Sequence, residues 1–158
     1  MKIHLLQIVA PMVAVVFGCA PPRIETGSYE PPYPNEPRHY RKNCAYETKH
    51  RLLFPLKGAG YAMLKEKNSL HSRSFSAAET QDLIRILNDT ASYQWGEVGT
   101  FILDYWIEFY DDRDSLTGLT KVDIGAGQTY SEPQLAKMKW GYLTDAGRER
   151  FLKIVNKK

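Results

Sequence analysis

The chain has 158 residues, 43% hydrophobic and 25% charged, with 21 Lys+Arg against 18 Asp+Glu. That is one folded domain's worth of chain plus some extra. A mean hydropathy of −0.43 with one apolar run excludes a polytopic membrane protein, and a formal charge of +3 is too small to mark a nucleic-acid binder.

In chain order, Lys2 supplies a charged start, and Ile3 to Phe17 is apolar apart from His4 and Gln7. That length suits a secretory apolar region and is short for a membrane span of about 20 residues. Pro11 also disfavours a continuous helix. The segment ends Val16-Phe17-Gly18-Cys19-Ala20. An apolar residue three before Cys19 and Gly18 directly before it resemble the lipobox of bacterial lipoproteins, although Phe17 is bulkier than the residue usual there. The resemblance covers residues 1–20. It implies a signal peptide over 1–18, a diacylglycerol on the Cys19 thiol and, usually, an acylated (palmitate-type) N-terminus. Ala20 rather than Asp after the cysteine implies the outer membrane in a host with two membranes. The alternatives are a plain secretory signal that leaves Cys19 a thiol, and an uncleaved anchor. With Cys19 lipidated, Cys44 stands alone; without lipid, a Cys19–Cys44 disulfide is open.

The next stretch, 19–42, carries six of the nine prolines and, beyond Ala, one aliphatic residue, Ile24. It has too little apolar surface to fold by itself. It therefore reads as a disordered proline-rich tether, or as a recognition segment using Tyr29, Tyr33 and Tyr40. The folded part is then 43–158.

Within it, His50 to Leu64 is broken by Pro55 and Gly58-Ala59-Gly60 and reads as two short strands or a strand and a turn. Ala77 to Asp89 is a helix, with Ser76 and Glu79 as a capping box and Leu83, Ile84, Ile86 and Leu87 on one arc. Phe101 to Tyr110 alternates without exception. Phe101, Leu103, Tyr105, Ile107 and Phe109 form a buried face; Ile102, Asp104, Trp106, Glu108 and Tyr110 form a wetter one. Asp111 to Ser115 is a loop, and Leu119 to Ile124 a hairpin partner. Met138 to Tyr142 suggests a short strand. Asp145 to Val155, capped by Thr144, is a second helix. The Leu143-Thr144-x-x-Gly147-Arg148 junction resembles that of some winged-helix regulators and reads more simply as this capped start. The sum is α+β: an antiparallel sheet with two helices packed on it.

No catalytic constellation stands out. His50 and His71 are the domain's histidines, and no Gly-x-Ser-x-Gly elbow occurs. Asp104 and Glu108 share a strand face with Cα atoms about 13–14 Å apart, wider than the roughly 5–9.5 Å of glycosidase carboxyl pairs. Asp111, Asp112 and Asp114 lack the EF-hand spacing, and no His or Cys pair has metal-ligand spacing. The glycine pairs 58/60 and 125/127 lack the third glycine of a dinucleotide loop. No metal or cofactor is expected. Trp106 and Tyr110 beside Asp104 and Glu108 are candidate ligand-facing residues, because rings stack on apolar sugar faces and carboxylates accept hydroxyl protons. If a helix covers this face, the rings are core instead. The reading is a membrane-anchored envelope lipoprotein, non-enzymatic, binding a protein or cell-wall partner and not nucleic acid. The alternatives are an envelope hydrolase acting on peptidoglycan or glycan through Asp104 or Glu108, and a structural subunit of an envelope assembly.

Overall fold

The computed structural model describes residues 29–157 apart from Asn68 and Val98. The signal-peptide and Cys19 readings lie outside the described residues. No described helix is long and apolar enough to cross a membrane.

The fold is α+β. Helix α1 (Tyr40–Lys49) is followed by strands β1 (Tyr61–Glu66) and β2 (Ser72–Phe75) and helix α2 (Ala77–Asn88). Strands β3 (Tyr105–Tyr110), β4 (Leu116–Asp123) and β5 (Gln128–Glu132) come next, and helix α3 (Asp145–Val155) is last. The strands form one antiparallel sheet in the order β2-β1-β3-β4-β5.

The alternation in β3 decides which face carries the core. Tyr105, Ile107 and Phe109 point into it with Ala62, Leu64 and Val122, and Leu83, Ile86, Leu87, Phe151 and Val155 of α2 and α3 close it. Ser76 starts α2 as expected: its hydroxyl accepts from Glu79 N at 3.3 Å, and Glu79 Oε2 accepts from Ser76 N at 2.9 Å. Thr144 caps α3, accepting from Gly147 N.

Two glycines are required by geometry. A Cβ on Gly118 would lie 2.7 Å from Pro55 Cβ and 2.9 Å from Phe54 Cζ, so its absence lets Phe54 reach Phe109, edge-on at 5.1 Å. Gly141 has φ +86°, and its Cβ would fall 1.7 Å from the Thr129 carbonyl oxygen.

Three expectations are corrected. The strand from Phe101 begins only at Tyr105: before it, Ile102 N donates to the Asp123 carboxylate at 2.8 Å, and Asp104 holds the end of β4 through its N donating to Val122 O at 2.9 Å and its Oδ2 accepting from Ile124 N at 2.7 Å. Met138 to Tyr142 is not a strand; a 3₁₀ turn over Ala136–Met138 leads to single bridges, Gln128 with Tyr142 and Tyr93 with Leu143. The part of the tether from Tyr29 onward is docked rather than free. It contains a 3₁₀ turn over Pro37–His39 and the start of α1, and Tyr29 packs against the core.

Candidate functional site

The second face of β3 presents Trp106, Glu108 and Tyr110, because residues two apart on a strand share a face. Register sets Lys65 of β1 and Lys121 of β4 on either side of Trp106, and Tyr61 beside Tyr110. Three of these side chains, Trp106, Tyr110 and Lys65, converge on the Glu108 carboxylate. Trp106 Nε1 donates to Glu108 Oε1 at 2.9 Å, Tyr110 OH donates to Glu108 Oε2 at 2.6 Å, and Lys65 Nζ lies 2.8 Å from the same oxygen. The Tyr61 and Tyr110 rings stack at 5.1 Å, and Tyr61 OH donates to Asp114 Oδ1 at 2.9 Å.

The wetter-face reading of Trp106 and Glu108 is therefore corrected: Trp106 is 2% exposed and Glu108 1%. A buried carboxylate must be supplied with donors, and here the donors come from its strand neighbours, which fold over it. Tyr110 remains half-buried, and Asp104 is exposed and engaged with the Ile124 amide. So the structure gathers three of the four candidate residues around one group and leaves Asp104 outside. Lys121 does not join them; it pairs with Glu132 at 2.6 Å and sits over the Tyr130 ring.

Burial pushes the Glu108 carboxyl up, but the hydrogen bonds from Lys65, Tyr110 and Trp106 outweigh it and hold the group below its ordinary range. Burial, then the bond to Glu108, pushes the Tyr110 hydroxyl well up, so it stays protonated. A general acid working near neutral pH needs the opposite, a carboxyl raised toward 7. Glu108 is an anion whose oxygens are already engaged.

Elsewhere, Asp111 organises its own loop, accepting from Arg113 N and Ser115 N at 2.9 Å each. Cys44 is a free, half-buried thiol, and burial pushes it up, away from the thiolate that reactivity needs. Among the described residues, no group of three His, Cys, Asp or Glu is placed to hold a metal. A cleft of about 510 Å³ separates α2 from α3, with Ile86 and Ile154 among its lining residues. On its rim Arg85 pairs with Asp82 and Arg150 with Asp89.

A second aromatic cluster was not anticipated. Tyr40 meets Trp95 edge-on at 5.6 Å, and Trp95 meets Trp140 edge-on at 5.0 Å. Trp140 Nε1 donates to Asn35 O at 3.1 Å. The local signal was the tyrosine-rich, proline-rich stretch itself, but nothing in it named the surface it would meet.

Compared with protein-family models, curated proteins and solved structures, the chain matches none.

Proposed function

We propose that this chain is a lipid-anchored envelope module, attached through Cys19, whose domain binds a protein or cell-wall partner without turning over a substrate. The anchor rests on the lipobox-like sequence around Cys19. The non-enzymatic part rests on one observation: the best-placed carboxylate, Glu108, is 1% exposed and held ionised by three donors. Such a group stabilises a sheet face; it neither gives nor takes a proton near neutral pH.

Intact mass of the chain extracted from membranes with detergent tests the anchor. Residues 19–158 plus acyl chains is the expected mass, and a lipid-free mass overturns it. Incubation of the purified chain with peptidoglycan tests the rest. Release of soluble fragments, abolished in Glu108→Gln, would establish the hydrolase instead.

A further inference from the structure

Helix α1 is seated on the domain by a polar contact. Glu47 is fully buried, and its Oε1 accepts from Ala136 N at 2.5 Å. The helix then ends in a fixed turn. Leu52 N donates to Glu47 O at 2.9 Å and Arg51 N to Thr48 O at 3.1 Å, the paired bonds of a Schellman end. The left-handed position of such an end favours glycine. Arg51 occupies it at φ +53°, a costly place to keep a charged side chain. From there the chain is clamped to the last residue of α2. Phe54 N donates to Asn88 Oδ1 at 2.8 Å, and Asn88 Nδ2 donates to Phe54 O at 2.6 Å.

The clamp sorts the side chains. Phe54 and Pro55 are buried, while Leu53 and Leu56 on either side of them stay 57% and 37% exposed. Tyr46, on the last turn of α1, is exposed as well. Lys49, Arg51 and Lys57 are exposed among them, and none of the three has a carboxylate partner among the described residues. From Thr48 to Lys65 the sequence holds no Asp or Glu. The acidic loop of Asp111 to Asp114 meets the chain past this strip, at Gly60 and Tyr61. Leucines held outward between unpaired cations, with a tyrosine at the border, suit the headgroup layer of an anionic bilayer.

The course of the N-terminal chain selects that occupant. The Tyr29 ring stacks on the Tyr46 ring at 6.4 Å, so a chain anchored at Cys19 reaches the domain at this strip. Leu70 is more exposed, at 96%, but it lies past the far end of β1. There Glu66 and Asp104, joined to that turn by Lys67 N donating to Asp104 O at 3.1 Å, put carboxylates beside it.

We infer that residues 46–57 form a second membrane contact, in which Leu53 and Leu56 enter the headgroup layer of an anionic phospholipid surface and Lys49, Arg51 and Lys57 meet its phosphates. The inference rests on the anchored reading and deepens it by naming the face of the domain that lies on the bilayer.

The test uses the processed chain, residues 19–158, with Cys19→Ala, so that no acyl chain contributes. It is floated with vesicles of phosphatidylglycerol and phosphatidylcholine in equal parts, or of phosphatidylcholine alone, and binding is read as the lipid concentration for half flotation. Each Lys or Arg at an anionic surface strengthens partitioning roughly fivefold, so the anionic vesicles are expected to bind about twentyfold more tightly or better. Lys49→Gln, Arg51→Gln and Lys57→Gln together should remove that preference. Leu53→Ser with Leu56→Ser should weaken binding about tenfold, and Leu70→Ser should leave it unchanged. Equal binding to both vesicles, an undiminished preference in the three-Gln chain, or loss in Leu70→Ser instead overturns the inference. Should a variant fail to fold, hydrogen exchange on the unsubstituted strip decides: anionic vesicles must slow exchange across residues 50–58 and leave α3 unchanged, and no local slowing overturns the inference. The Cys19→Ala chain binds or not whether or not the natural chain carries lipid. A lipid-free natural mass therefore removes the anchor alone, and failed flotation removes this contact alone.

Discussion

The Trp106 indole donates to Glu108 Oε1 at 2.9 Å, from two residues earlier on the same strand face. The ring is thereby fixed as part of the fold, at 2% exposure. Trp106→Ala is expected to destabilise the domain by about 3–5 kcal/mol, read as a lower urea midpoint. A full midpoint together with a lost partner would return Trp106 to the binding surface.

Glu108→Gln keeps the shape and removes the charge. It should cost about 3 kcal/mol at pH 7, since Tyr110 and Lys65 lose their anionic acceptor. The pH dependence has a definite sign. A carboxyl held below its unfolded value contributes stability that is present above the ordinary carboxylate range and is lost as pH falls through the lowered folded value. The gap in urea midpoint between the unaltered chain and Glu108→Gln should therefore narrow from pH 7 to pH 3. A constant gap contradicts the ionised network.

Glu47 has the opposite sign. Burial pushes its carboxyl up, against the pull of the Ala136 and Lys137 amides, the Lys137 charge and Tyr29. Its contribution to docking is full below the unfolded carboxylate value and falls as pH rises through the raised folded value. Exchange of the α1 amides, corrected for intrinsic rates, should show easier opening as pH rises. Glu47→Gln should flatten that dependence; an equally steep profile in the variant would exclude Glu47 as its source.

Gly141→Ala combines φ +86° with a Cβ 1.7 Å from the Thr129 oxygen. A loss of about 3 kcal/mol or more is expected, read by thermal melting. An unshifted melt would mean that the 138–142 turn relaxes freely.

Ser76→Ala removes one half of the α2 capping box and should cost about 1 kcal/mol. Ser76→Gly should cost only a few tenths. Equal losses would point to contacts of the side chain other than the cap.

Legibility followed whether the signal was local. Both sequence-read helices carry their caps beside an apolar arc, and α2 and α3 form at Ala77–Asn88 and Asp145–Val155. The odd positions of β3 are buried as the alternation requires. What was hidden depends on distant partners. Among the even positions, Glu108 is buried because Lys65, 43 positions before it, supplies a counter-charge, and sequence alternation treats a glutamate as wet regardless. Helix α1 was unreadable because its buried face is Asn43 and Glu47, and the Glu47 carboxylate is satisfied by the 136–137 amides nearly 90 residues away. Strand β5, Gln-Thr-Tyr-Ser-Glu, has no apolar alternation; its inward Thr129 and Ser131 pack small hydroxyls beneath the core, and Ser131 bonds Thr120 at 3.0 Å.

The docking of Tyr29 against the core also sets a distance. With lipid on Cys19, only the stretch from Cys19 to Ser28 separates bilayer from domain, and ten extended residues span at most about 35 Å. Release of Tyr29 to Lys49 lengthens that limit to about 100 Å. An anchored copy would thus have two radii of action over its membrane, and the contacts of Glu47 and Trp140 would choose between them.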